Sequence, residues 1–134
     1  MDTIRKVEYF VTEVSNKPGE AARVLGAVRG VNLLAFTGFP SGRRAQVDFM
    51  PEDAAAFLSA AKQAKLKVKA KKGCFLVQGD DRPGAMVGVM QKLAEAKINI
   101  TAIDAVAGGN GRWGAIFWVK PKDVNKAAKA LGAM

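Results

Sequence analysis

The chain has 134 residues, 49% hydrophobic and 25% charged, with a formal net charge of +9 from 21 Lys and Arg against 12 Asp and Glu. Those proportions belong to a folded chain, and no apolar run approaches the ~20 residues of a membrane span. There is no histidine and one cysteine, Cys74, which removes the commonest general base, the usual zinc and iron-sulfur ligand sets and any internal disulfide.

The opening Met1-Asp2-Thr3-Ile4-Arg5-Lys6 lacks the apolar core of a secretory signal, and the lone cysteine fits a reducing compartment, so a cytoplasmic protein is expected. From Ile4 to Val14 the residues alternate, with Val7, Tyr9 and Val11 on one face and Glu8, Phe10 and Thr12 on the other. Period two is the signature of a strand. Asn16-Lys17-Pro18-Gly19 stops it, and Ala21, Ala22, Val24, Leu25 and Val28 then recur at helical spacing up to Gly30. Val31 to Thr37 reads as a second strand, Gly38 to Gly42 as a turn, and Ala45 to Met50 as a third strand. Pro51 is expected to open a second helix with Ala55, Phe57, Leu58 and Ala61 as its apolar stripe, and Leu66 to Lys71 to form a fourth strand.

The pattern then repeats. Cys74 to Gln78 is a strand, Asp81-Arg82-Pro83-Gly84 a turn, and Pro83 to Ala96 a helix carrying Met86, Val87, Met90, Leu93 and Ala94. Ile98 to Ala107 is the next strand, Gly108-Gly109-Asn110-Gly111 a hairpin turn, Arg112 to Lys120 a third strand and Pro121 to Leu131 a helix. Val31-Asn32-Leu33 in the first copy is echoed by Ile98-Asn99-Ile100 in the second. The order is β-α-β-β-α-β, twice, and the chain stops before the last strand of the second copy. This predicts an α+β protein made of two ferredoxin-like βαββαβ modules in tandem, residues 1–72 and 73–134, with helices on one face of antiparallel sheets. The second module, truncated at its C-terminal end, would leave Cys74 to Gln78 as an apolar sheet edge. A partner strand is expected to cover it, from a second chain or from Lys65 to Lys72.

The Asn/Asp-x-Pro-Gly turn after the first strand and the Val/Ile-Asn-Leu/Ile sequence at the second both occur in both copies. On these motifs the chain resembles the ACT-domain family of amino-acid-binding regulatory modules, over nearly its whole length and without an attached enzyme. The resemblance implies ligand contacts at Asn16, Pro18, Gly19 and Asn32 in the first copy and at Asp81, Pro83, Gly84 and Asn99 in the second. It also implies a non-catalytic protein that needs no cofactor and no metal. An amino acid or related metabolite would be its ligand and a regulated enzyme its target; the bare edge of the second module, separately, leads to the expectation of a homodimer. The chemistry of the turn agrees, since the start of a helix offers free amides and a dipole that attract a carboxylate.

The copies are not equal. Asp81 stands where the first copy has Asn16, and would meet an ammonium group or cap a helix. The family's frequent histidine two positions ahead is replaced by Val14 and Gly79. The first copy is therefore the expected ligand site and the second the expected assembly surface.

Two other functions stay open: a structural interaction module without ligand, and an RNA-binding protein. The second would use the basic run Lys65, Lys67, Lys69, Lys71 and the strand Arg112-Trp113-Gly114-Ala115-Ile116-Phe117-Trp118-Val119. Trp113 and Phe117 share a face of that strand, but its order does not match the aromatic motif of RNA-binding sheets, and nucleic acid is not the expected partner. The lysines fit a solvated strand face, and Cys74 a buried small hydrophobe.

Overall fold

The computed structural model describes residues 2–134. In chain order the elements are β1 (Thr3–Ser15), α1 (Glu20–Ala27), β2 (Leu33–Ser41), β3 (Arg44–Pro51), α2 (Ala54–Gln63) and β4 (Lys69–Asp80). They continue with α3 (Val87–Glu95), β5 (Ala102–Gly109), β6 (Arg112–Trp118), a 3₁₀ turn at Pro121–Asp123 and α4 (Val124–Leu131). The chain is α+β, with two ferredoxin-like modules in tandem. It divides into two compact units: Glu8–Lys71, and Lys72–Met134 joined by the segment that ends at Val7.

In the first unit β3 lies between β2 and β1 and pairs antiparallel with both. The fourth-strand place beside β1 is taken by the chain through Lys67 into the start of β4, where the Thr12 hydroxyl donates to the Lys67 carbonyl at 2.6 Å. The face under the helices carries Phe10, Val14, Val47 and Phe49, and α1 and α2 lay Val24, Val28, Phe57 and Ala61 on it. Phe57 stacks on Phe10 and tilts against Phe49, each at 5.0 Å between ring centroids. On the other face Asp48 is buried, and its carboxylate accepts from Thr37 at 3.1 Å and Gln46 at 2.9 Å.

In the second unit the strand order is β1-β4-β6-β5, with residues 3–7 of β1 at one edge. Phe75, Val77, Trp113, Ala115 and Phe117 form the helix-covered face, and α3 and α4 pack Val89, Leu93, Val124, Ala127 and Leu131 onto it. Phe75 and Phe117 stack at 5.2 Å. The expected bare edge does not exist. Cys74, Phe75, Leu76 and Val77 are buried, and the strand beside them is the beginning of the same chain, neither a second chain nor Lys65 to Lys72. The reason is length. β1 runs 13 residues, more than twice the usual strand, so its first residues overrun the first unit and serve the second. The Met134 amide then donates to the Ile4 carbonyl and the Lys6 amide donates to the Met134 carbonyl, each at 3.1 Å.

Several boundaries differ from those expected. The two strands read at 66–71 and 74–78 are one strand, β4. Pro51 closes β3, and α2 begins after Asp53, whose carboxylate accepts from the Ala56 amide at 3.1 Å as an N-cap. The β2–β3 turn shrinks to Gly42-Arg43, because an edge strand tolerates Pro40. In the second unit Asn110 and Gly111 both take positive φ, the backbone of a two-residue hairpin. α3 starts at Val87 rather than Pro83, since Gly84 at φ 73° holds residues 82–87 in successive turns.

Candidate functional site

Both motif turns have the same physical form. Gly19 and Gly84 sit at φ 90° and 73°, a left-handed backbone that a side chain disfavours, so glycine here is required by conformation. Neither turn caps its helix through a side chain: the N-cap positions are Gly19 for α1 and Met86 for α3, with no side-chain cap bond, so Asn16 and Asp81 are not spent on that role. Asn16, Pro18 and Gly19 are exposed between β1 and α1. Asn32 is committed elsewhere. Its side-chain amide donates to the Glu52 carboxylate at 2.5 Å and its backbone carbonyl accepts from the Glu52 backbone amide at 2.9 Å, which ties the start of β2 to the end of β3.

The second turn is built more heavily. The Asp81 amide donates to the Gly111 carbonyl at 2.8 Å, anchoring the turn to the β5–β6 hairpin. Arg82 reaches across to Asp2 with two parallel bonds, Nη1 to Oδ1 at 3.1 Å and Nη2 to Oδ2 at 3.0 Å, and also donates to the Asp80 carbonyl at 2.8 Å. Asp80 in turn accepts from Arg112 at 2.9 Å. Two cavities flank this turn. One, of about 310 Å³, has Asp81, Arg82 and Gly84 on one side and Ala105, Val106 and Trp113 among its other walls. The other, of about 330 Å³, is lined by Asp2, Arg82, Gly84, Ala85 and Lys92 among others. Both are at the lower end of the range of small-ligand sites.

The structure thus brings Asp81 and Gly84 to a shared cavity, while Pro83 and Asn99 are not among the residues lining either one; both are exposed. The sequence favoured the first turn, yet the built cavities described here lie at the second. Arg82 and Asp2 were not singled out by sequence. They stand eighty positions apart, and only the overrun of β1 brings them together.

The Arg82 guanidinium hydrogen-bonded to Asp2 holds the Asp2 carboxyl below the usual aspartate value, against an opposing effect of burial. A depressed folded-state pKa means that the pair stabilises the fold above the unfolded value of about 3.9 and that this contribution is lost as pH falls through the folded value. An NMR titration of the Asp2 carboxyl is expected to show a depressed midpoint that returns towards the ordinary one in Arg82→Gln. An unchanged midpoint in that variant would contradict the geometry.

The aromatic platform of the RNA alternative is absent from the surface. Trp113 and Phe117 lie in the core beneath the helices, and Trp118 is buried on the opposite face, so none of the three can stack on a base. Lys65, Lys67, Lys69 and Lys71 are exposed, as expected for a solvated face. Among the described residues there is no group of three His, Cys, Asp or Glu side chains placed to hold a metal ion, and no helix long and apolar enough to cross a membrane.

No protein-family model matches the sequence, and neither does any curated protein sequence. Solved structures do match in fold. A Bacteroides thetaiotaomicron protein superposes with a TM-score of 0.78 at 17% identity, over 96% of this chain and 88% of its own. The ligand-free regulatory subunit of aspartate kinase from Thermus thermophilus gives 0.64 at 18% identity, over 98% and 94%. Aspartokinase III of E. coli, in complex with aspartate and ADP, gives 0.55 at 19%, over 97% of this chain and 32% of its own. At these identities the likeness establishes the fold, a tandem pair of ACT-like modules.

Proposed function

We propose that this chain is a non-catalytic regulatory protein that binds a small amino acid or a related metabolite and passes the binding event to a partner enzyme. The observation that carries this reading is the second motif turn standing over a ligand-sized cavity, with Arg82 and Gly84 on one side and apolar Val106 and Trp113 on the other. A cation beside apolar walls suits a carboxylate with a short side chain. The fold shared with a regulatory subunit of aspartate kinase supports the regulatory part. In this reading Asp81, Pro83, Gly84 and Asn99 serve the second site, and Asn16, Pro18, Gly19 and Asn32 an equivalent first one. Asn32 contributes there by fixing its loop through Glu52.

The assembly in this reading is a homodimer, and β5 supplies its edge. All eight residues of β5 are exposed, including Ile103 at 39% and Val106 at 69%. An uncovered apolar edge favours pairing with a second copy. A reducing cytoplasm suits the buried Cys74 thiol.

A thermal-shift screen of the L-amino acids tests the reading. Ligand at a hundred times its Kd stabilises by about 2.7 kcal/mol, a rise in Tm on the order of 5–10 °C for a chain of this size. At least one amino acid is expected to produce it, and Gly84→Val to abolish it; loss in Asn16→Ala instead would move the site to the first turn. Silence across the set would leave an interaction module without ligand.

A further inference from the structure

The Asp2–Arg82 pair has features that a simple clamp does not need. The Asp2 carboxylate lies against Gly79, where a Cβ would overlap Oδ1 outright. The space it fills exists only because residue 79 has no side chain. Trp113 borders the same space: its Nε1 would stand 3.0 Å from that Cβ. The Trp113 side chain is 6% exposed, and its indole N–H is buried with no partner at hydrogen-bonding geometry. A buried donor left unpaired is costly, and the Asp2 carboxylate is the acceptor beside it: after Arg82 and against burial, the Trp113 indole also helps to hold the Asp2 carboxyl below its usual value. A guanidinium fork, a buried indole N–H and a floor without a Cβ are together a receptor for a carboxylate. The 330 Å³ cavity opens beside it, and Asp2 is the sole acid in the lining. With Asp2 swung out, that lining carries two cations, Arg82 and Lys92, and no anion.

We infer that Arg82, Trp113 and Gly79 form a carboxylate-binding site which the chain's own Asp2 occupies in cis, and that a free dicarboxylate competes with Asp2 for it. This deepens the ligand reading of the second turn and rests on it. The consequence is a built-in competitor. A ligand meets an open site only while Asp2 is away, so its apparent affinity is reduced by the closed fraction. Half-exposed Arg82 lets the pair exchange with solvent. Ligand entry frees the segment ahead of Glu8 from one of its anchors, so occupancy at the site reaches the edge strand of the second unit.

Succinate titrated by calorimetry into the full chain tests this. Asp2→Ala is expected to bind succinate on the order of tenfold tighter than the parent chain. Gly79→Ala, whose φ is ordinary and whose Cβ fills the cradle, is expected to bind none. In the unaltered chain, saturating succinate is expected to speed amide hydrogen exchange across residues 3–7, a readout that needs no variant to fold. Equal or weaker succinate binding by Asp2→Ala, no binding to either protein, or unchanged exchange would overturn the inference. If an amino acid raises Tm equally in the parent, Asp2→Ala and Gly79→Ala proteins, the competing Asp2 is refuted and the sensor reading survives. If no amino acid acts while succinate competes with Asp2 as described, the amino-acid reading alone fails.

Discussion

Deleting the segment ahead of Glu8 is expected to unfold the second unit rather than merely to loosen it. Residues 3–7 form the strand beside β4, and their removal uncovers the edge of Cys74, Phe75, Leu76 and Val77, all exposed by 5% or less in the intact fold. It also strips Ile4 from the core cluster and both backbone bonds to Met134. At about 1 kcal/mol for each of these two net hydrogen bonds and at most a further 1.5–3 for the partly buried Ile4, these contacts alone are worth on the order of 3–5 kcal/mol, before the bared apolar strand is counted. A small domain has a total of about 5–15. The bared strand is then free to pair with other chains. Size-exclusion chromatography and circular dichroism of the truncated protein should show aggregation and lost β signal. A monodisperse product with the parent melting temperature would mean that the segment is not the fourth strand of the second unit.

Phe57→Ala is expected to cost about 3–5 kcal/mol, the usual loss for a large aromatic removed from a close-packed core. Phe57 is fully buried and joins two partners, with Phe10 on one side and Phe49 on the other, both at 5.0 Å. Val14, Val24, Val28 and Val47 belong to the same buried cluster, and close-packed neighbours relax only partly around a gap. Urea unfolding should give a lower midpoint with little change in slope, and Phe57→Leu should lose far less. A loss below about 1 kcal/mol for the alanine variant would show that the core collapses around the gap.

What the sequence disclosed was local and periodic. The repeat, the element order and both motif turns were readable because each rests on spacing within a few residues. Strand β1 was visible by alternation, but alternation does not say which sheet a strand serves. The pairing of residues 3–7 with β4 depends on contacts about seventy positions apart, which no short pattern encodes. The same holds for the site. Gly19 and Gly84 could be picked out, since a left-handed backbone demands glycine. Asp2 was an ordinary charge near the start of the chain, and Arg82 an unremarked member of its turn, until folding set them 3.0 Å apart. Asn32 shows the same limit from the other side: its motif marked the position, but not the bond of its side-chain amide to Glu52 twenty residues on. The start of α3 was misplaced because proline at a first helical position and proline ahead of a left-handed glycine look alike in sequence.

The central claim is that a small acid or amino acid binds at the second motif turn. The most direct measurement is an amide and indole NMR map of the labelled protein, with L-amino acids and succinate added in turn. The account predicts that a binding ligand shifts Arg82, Gly84, Ala85 and the Trp113 indole N–H together, with Ala105 to Ala107 following. A ligand that shifts only residues around Asn16 and Asn32, or a full set that moves none of these signals, would contradict it.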